Sequence, residues 1–284
     1  MSNAFAFYDL GPGSELAGFT IVSSHRQGGF STAFEATDSK GERCELQIFP
    51  AALFEGRAQV GEFTERLLPW KGVRHDAVLS VREVVAIDAE NLVLVMDYPE
   101  GESLRARLNR ETRLDETTVK AVALQLLGGL EAIHAAGVVH GDIKPYTIHV
   151  EGEGAEATAL LVDGGVTPGL WTAKGLGEKT ALIGTPYYAP VEQFGGDAPD
   201  VRSDIYNLAT VFYECLVGAL PWKGTSFLEV FQAKLEDPPP FRTRWAESEV
   251  AGDLEEVIRR GCLADRRKRY ESAAEFREAL AACG

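Results

Sequence analysis

The apolar pattern of this 284-residue chain changes period at Tyr98. Before it, short β-branched runs alternate with turn formers. Phe19 to Ser24, Thr32 to Thr37 and Arg43 to Phe49, the last two joined by Asp38-Ser39-Lys40-Gly41, predict an antiparallel meander of three strands. Ala58 to Leu68 has helical spacing, and Ala77 to Ile87 and Asn91 to Met96 read as two further strands. After Tyr98, Val119, Val122, Ala123, Leu126, Leu127, Leu130 and Ile133 recur at three- and four-residue intervals, the single apolar face of a long helix. Asp115 and Glu116 stand at its start and Gly137 just past its end, as helix dipole and capping chemistry favour. Asp204 to Val217 predicts a second apolar helix stopped by Gly218, and Ser272 with Glu275 makes a capping box for a last one. The polar stretch Glu151 to Thr158 reads as an extended hairpin. A small β-rich part followed by a larger helical part gives an α+β chain.

Charge narrows the partners. With 28 basic and 43 acidic residues the chain carries a formal charge of −15, so it lacks the basic footprint that sequence-independent nucleic-acid binding needs. The same balance disfavours docking on anionic lipid. No uninterrupted apolar run reaches the length of a membrane span. The N-terminal stretch lacks the basic start and long apolar run of a secretory signal. Cys44, Cys215, Cys262 and Cys283 are far apart and none falls in a CxxC spacing, which disfavours a metal site and points to a reducing, cytoplasmic setting.

Six motifs then follow in order: RQGGFSTAFEA (Arg26 to Ala36), HGDIKPYTI (His140 to Ile148), LLVDGG (Leu160 to Gly165), GTPYYAPVEQ (Gly184 to Gln193), SDIYNLATVFYECLVGALPW (Ser203 to Trp222) and DRRKRY (Asp265 to Tyr270). Together they resemble the Gly-rich loop, catalytic loop, magnesium-binding DFG, activation-segment end and C-terminal helices of bacterial, Hanks-type serine/threonine protein kinases. The resemblance covers Phe19 to the end. It implies a bilobal kinase fold, with residues 1–18 as an N-terminal extension, 19–98 as a β-rich N-lobe and 99–284 as a helical C-lobe. ATP and Mg2+ would lie between the lobes. It further implies that Glu192 pairs with Arg269 and that Asp204 anchors the catalytic loop from below.

Phosphoryl transfer rests on positioning and charge neutralisation, so each altered position predicts a specific loss. Gly28 and Gly29 remain in the phosphate loop, but Arg26 and Ser31 stand at its first and third glycines. Gln47 replaces the lysine that contacts the α/β-phosphates, leaving an uncharged amide; Glu65 or Glu62 stands at its helix partner and is expected to be exposed. Glu45 replaces the small residue over the adenine, and His149 stands at its floor. The two either approach each other across the slot and partly fill it, or turn outward. Met96 stands at the gatekeeper, followed by Asp97; at the hinge position that donates its N–H to adenine the chain has Pro99, which has none. Asp142 and Lys144 match the catalytic aspartate and phosphate-contacting lysine. Asp163 matches the magnesium aspartate, and Thr147 replaces the second ligand, normally asparagine. Gly141 replaces the HRD arginine and Gly164 the DFG phenylalanine, whose loss leaves a gap or demands other packing. Thr172, Thr180 and Thr185 lie in the activation segment.

These departures predict no ATP/Mg2+ binding or a weak one, and a pseudokinase that acts as a regulatory or scaffolding module for a protein partner. Two alternatives stay open: an atypical active kinase, supported by Asp142, Lys144 and Asp163, and a nucleotide sensor without turnover. The family often docks proteins around the segment Trp222 to Leu235. Trp222, Phe227, Leu228 and Phe231 could form such a patch here, though most of them are expected in the core.

Overall fold

The structure, a computed structural model, describes residues 10–27, 30–87, 91–174 and 186–284. Gly28, Gly29, Thr180 and Thr185 therefore lie outside the described residues. Strands Glu15–Leu16 (β1), Phe19–Gln27 (β2), Thr32–Thr37 (β3), Arg43–Phe49 (β4), Val81–Ala86 (β5) and Leu92–Asp97 (β6) form a six-stranded antiparallel sheet in the order β1-β2-β3-β4-β6-β5. The expected meander is β2-β3-β4. The strand expected over Ala77 to Ile87 begins only at Val81, because Ala77 to Leu79 pair with the other lobe instead: Leu161 N–H donates to the Ala77 carbonyl and Leu79 N–H to the Leu161 carbonyl, each at 2.8 Å.

Alternation along β4 gives the sheet two different faces. Cys44, Leu46 and Ile48 join Ile21, Phe34, Val93 and Val95 in a small outer core. Glu45, Gln47 and Phe49 point the other way, toward the interlobe cleft and helix Arg57–Leu67 (α1), where Phe49 packs edge-on against Phe63 at 5.0 Å. That side belongs to the main core, which runs through both lobes.

The C-lobe starts at the short strand Glu102–Ser103 (β7), whose Ser103 hydroxyl caps helix Leu104–Glu111 (α2). Helix Glu116–Ala135 (α3) is 20 residues long, about 30 Å at 1.5 Å per residue, and Asp115 caps it by accepting the Thr118 N–H at 2.9 Å. The expected hairpin is Ile148–Glu151 (β8) and Thr158–Leu161 (β9), joined by the polar insert and extended on one side by β7. Among the elements not foreseen is helix Val166–Ala173 (α4), directly after the LLVDGG motif and packed on α1. Val191–Phe194 (α5) precedes helix Val201–Val217 (α6), which begins three residues before the expected Asp204. Asp200 and Ser203 close a capping box there, with serine rather than glutamate as the third helical residue. Phe227–Lys234 (α7), Phe241–Arg244 (α8), Gly252–Gly261 (α9) and Ala273–Ala281 (α10) complete the lobe.

All four cysteines are free and buried. Among the described residues no helix is long and apolar enough to cross a membrane. The apolar segment after Pro221 divides: Trp222 is core, but Phe227 and Leu228 of α7 are 54% and 59% exposed, against the expectation that most of this group would be buried.

Candidate active site

The catalytic loop is held from three sides. Asp204, fully buried at the start of α6, accepts the backbone N–H groups of His140 (2.9 Å) and Gly141 (2.7 Å) and meets His134 Nε2 at 2.9 Å. A carboxylate satisfied by two loop amides is the anchor expected of this residue. His140 is buried; its Nε2–H donates to the Val162 carbonyl at 2.9 Å, which leaves Nδ1 to accept the Asp142 N–H at 3.4 Å. Burial holds the His140 imidazole below its ordinary pKa, so it is neutral in this arrangement. Thr147 closes the turn: its hydroxyl accepts the Lys144 N–H at 3.0 Å and lies 3.0 Å and 3.1 Å from the Asp142 and Lys144 carbonyls. That oxygen is committed to its own loop.

Asp142 and Lys144 form an ion pair within this loop. Burial pushes the Asp142 carboxyl above its ordinary pKa; Lys144 opposes that shift and the charge of Asp163 adds to it. Asp163 follows β9 with a left-handed backbone, φ 65, unusual for a residue other than glycine.

Across the cleft, Gln47 is 4% exposed and its Nε2 donates to Ser31 Oγ at 3.0 Å and to Asp163 Oδ1 at 3.1 Å. Both amide hydrogens are thereby used, and Gln47 Oε1 is buried without a hydrogen-bond partner. The two helix candidates for its partner, Glu62 and Glu65, are exposed on the outer face of α1. Glu45 is fully buried on the same face of β4 as Gln47, and His149 is buried with Nδ1 3.2 Å from the Glu100 carbonyl. Neither side chain is without a partner, and Glu45 has not turned to solvent. Met96 and Pro99 are buried at the cleft edge, whereas Asp97 pairs with Arg82 at the surface side of the sheet.

At the far end of the site Arg269, its side chain fully buried, makes a two-pronged bond to Glu192 at 2.6 Å and 3.0 Å. This pair fixes the C-terminal end of the activation segment onto the C-lobe.

Comparison with known proteins agrees with this arrangement. Residues 27–279 match the protein kinase domain family. The chain belongs to the protein kinase family. This kinase domain is 41% identical over 184 residues to the serine/threonine-protein kinase PkaB of Streptomyces coelicolor, a stretch covering 63% of this chain and 44% of that protein. It is 30% identical over 275 residues to PknD of Mycobacterium tuberculosis, covering 93% of this chain and 39% of PknD. The kinase domain thus spans less than half the length of these curated relatives. The crystal structure of the Mycobacterium tuberculosis PknI kinase domain shares the fold with a TM-score of 0.73 at 19% identity, covering 96% of this chain and 98% of that one.

The motif comparison located the cleft residues but missed their neighbours. Of the gap or other packing expected at Gly164, the structure has the packing: Trp70, from the 3-10 turn Leu68–Gly72 that follows α1, fills the space, and an ideal Cβ on Gly164 would lie 2.1 Å from Trp70 Cη2. Trp70 also stands edge-on to His140, ring centroids 6.3 Å apart. No motif contains Trp70; its signal was the adjoining pair Gly164-Gly165, which leaves room for a ring from elsewhere.

Proposed function

We propose that this kinase domain is a pseudokinase, binding ATP/Mg2+ weakly or not at all and acting as a regulatory platform for a protein partner. The observation that carries this reading is the Gln47–Asp163 bond. The side chain that would neutralise a triphosphate is an uncharged amide, and both of its hydrogens are already given to Ser31 and Asp163. That bond occupies Asp163 Oδ1 with a neutral amide, and no ammonium stands at position 47 to offset the phosphate charge. Glu45 supports the same reading, because a buried carboxylate lines the face on which a purine would lie. The Thr147 hydroxyl, engaged within its loop, is a poor substitute for a second magnesium ligand. Partner binding draws support from the exposed Phe227, Leu228 and Leu235 on and beside α7. A cytoplasmic setting is proposed from the free cysteines alone.

The test is thermal unfolding with and without MgATP. A ligand at 100 times its dissociation constant stabilises by about 2.7 kcal/mol, so binding is readily seen. The reading expects no shift at millimolar MgATP. A shift without transfer to protein would replace it with the sensor reading.

A second reading, an active serine/threonine kinase, is favoured by the intact Asp142–Lys144 pair and by the kinase names of the curated relatives. It requires magnesium-dependent labelling of protein hydroxyls from γ-labelled ATP, lost in Asp142→Asn.

A further inference from the structure

The glycines of this site receive side chains from neighbouring elements. Ideal Cβ atoms on Gly164 and Gly165 would stand 2.1 Å and 2.0 Å from the Trp70 indole, so the ring lies directly on the backbone of the pair. A Cβ on Gly169, in α4, would meet Phe63 of α1 at 2.8 Å. A Cβ on Gly141, in the catalytic loop, would meet Pro168 of α4 at 2.3 Å. Real Cβ contacts do not approach so closely, so each glycine is a seat for one rigid ring. Three of the four seats lie in the segment following Asp163, and two of the three rings come from α1 and the turn continuing it.

We propose that Trp70 is a latch: seated on Gly164 and Gly165, it locks α4 against α1 and thereby holds Asp163 on Gln47. The geometry gives such coupling little slack. Trp70 is 3% exposed, it lies against the backbone of Gly164 and Gly165 with the His140 ring edge-on to it, and the chain around Asp163 is pinned by Val162 N–H to the Thr147 carbonyl (3.0 Å) and Gly165 N–H to the His140 carbonyl (3.1 Å). A shift of α1 moves the indole, and the indole cannot move toward Gly164 without moving the segment. Gly164 therefore matches Trp70 as hole matches peg. A phenylalanine at position 164 and the present tryptophan exclude each other. Trp70 acts through Asp163 as a positioning residue and touches no reacting group.

The test uses nucleotide-free protein, so its outcome is independent of whether the chain binds ATP. Amide hydrogen exchange over residues 163–174 and the Gln47 side-chain amide signal by NMR, assigned from its absence in Gln47→Leu, are compared in wild type, Trp70→Ala, Gly164→Ala and Trp70→Ala/Gly164→Phe. Expected are at least tenfold faster exchange over 163–174 and a collapsed Gln47 amide pair in both single variants, with α6 unaffected. The double variant, in which a ring returns from the opposite side, recovers the Gln47 signal and exchange to within threefold of wild type. Should Trp70→Ala not fold, Gly164→Ala, which adds one methyl group, carries the comparison with wild type. An unchanged Gln47 amide in the folded single variants, or additive loss in the double, overturns the latch.

Discussion

Lys234 offers a direct test of how burial controls charge in this fold. The side chain is 1% exposed at the end of α7, with Nζ 3.2 Å from the Tyr206 hydroxyl, 4.4 Å from the Trp222 ring and 4.9 Å from the Tyr206 ring. Among the described residues it has no ion pair to a carboxylate. Burial lowers its pKa from 10.5 to about 7, with Arg269 adding like charge and Glu192 only partly offsetting it. At ~1.4 kcal/mol per unit, holding the ammonium there costs on the order of 4–5 kcal/mol before the rings are counted. Two cation–π contacts return about 1–4 kcal/mol. Replacing Lys234 with methionine removes the buried charge and keeps the length, but strips the Tyr206 hydroxyl of a donor, a loss of about 1–3 kcal/mol. The two offsets together take back about 2–7 kcal/mol, so at pH 6.5 the variant is expected to lie within about 3 kcal/mol of the wild type in either direction. The pH dependence fixes the sign. Because the folded pKa is lowered, the unfolded chain binds more protons between about pH 7 and 10.5, and this group makes the wild type more stable as pH rises through that window. The methionine variant lacks this dependence, so relative to the wild type it should stand best at pH 6.5 and lose ground steadily as pH rises toward 10. Calorimetry of both proteins across that range checks it, since other titrating groups cancel in the difference. A stability difference that does not change with pH, or that moves in the variant's favour as pH rises, would refute the reasoning.

Three further outcomes are expected. Arg269→Met leaves Glu192 without its buried partner and should cost about 3–5 kcal/mol by denaturant unfolding. Gln47→Lys removes the orphan buried acceptor and brings an ammonium to Asp163; combined with Glu45→Ala it should produce an MgATP-dependent rise in Tm that the wild type lacks, and no rise in the double variant would remove position 47 from the explanation. Leu228→Ser on the exposed face of α7 should change stability by no more than about 0.5 kcal/mol, while weakening any partner that covers that face, read by unfolding and by direct binding.

The sequence alone marked the β2-β3-β4 meander, the long helix α3, the β8-β9 hairpin and helices α6 and α10, because these patterns are written locally. A period of two or of three to four residues reports which side of an element is apolar. The Asp115 and Ser272 caps act within one helical turn. The resemblance to kinase motifs was enough to put Gln47 and Asp163 in the same cleft. It was not enough to reveal what fills the glycines. Trp70 lies 94 residues before Gly164, and a glycine records only that no side chain is present, never which ring comes from elsewhere to occupy the space. Helix α4 was likewise invisible, since it has no capping side chain and owes its place to the notches at Gly141 and Gly169. Ala77 to Leu79 read as strand, but they make only an isolated parallel bridge, through the Ala77 carbonyl and the Leu79 N–H, to Leu161 of the other lobe. Extended backbone carries the same pattern whichever partner it finds, so only the folded chain, with both lobes in place, decided the pairing.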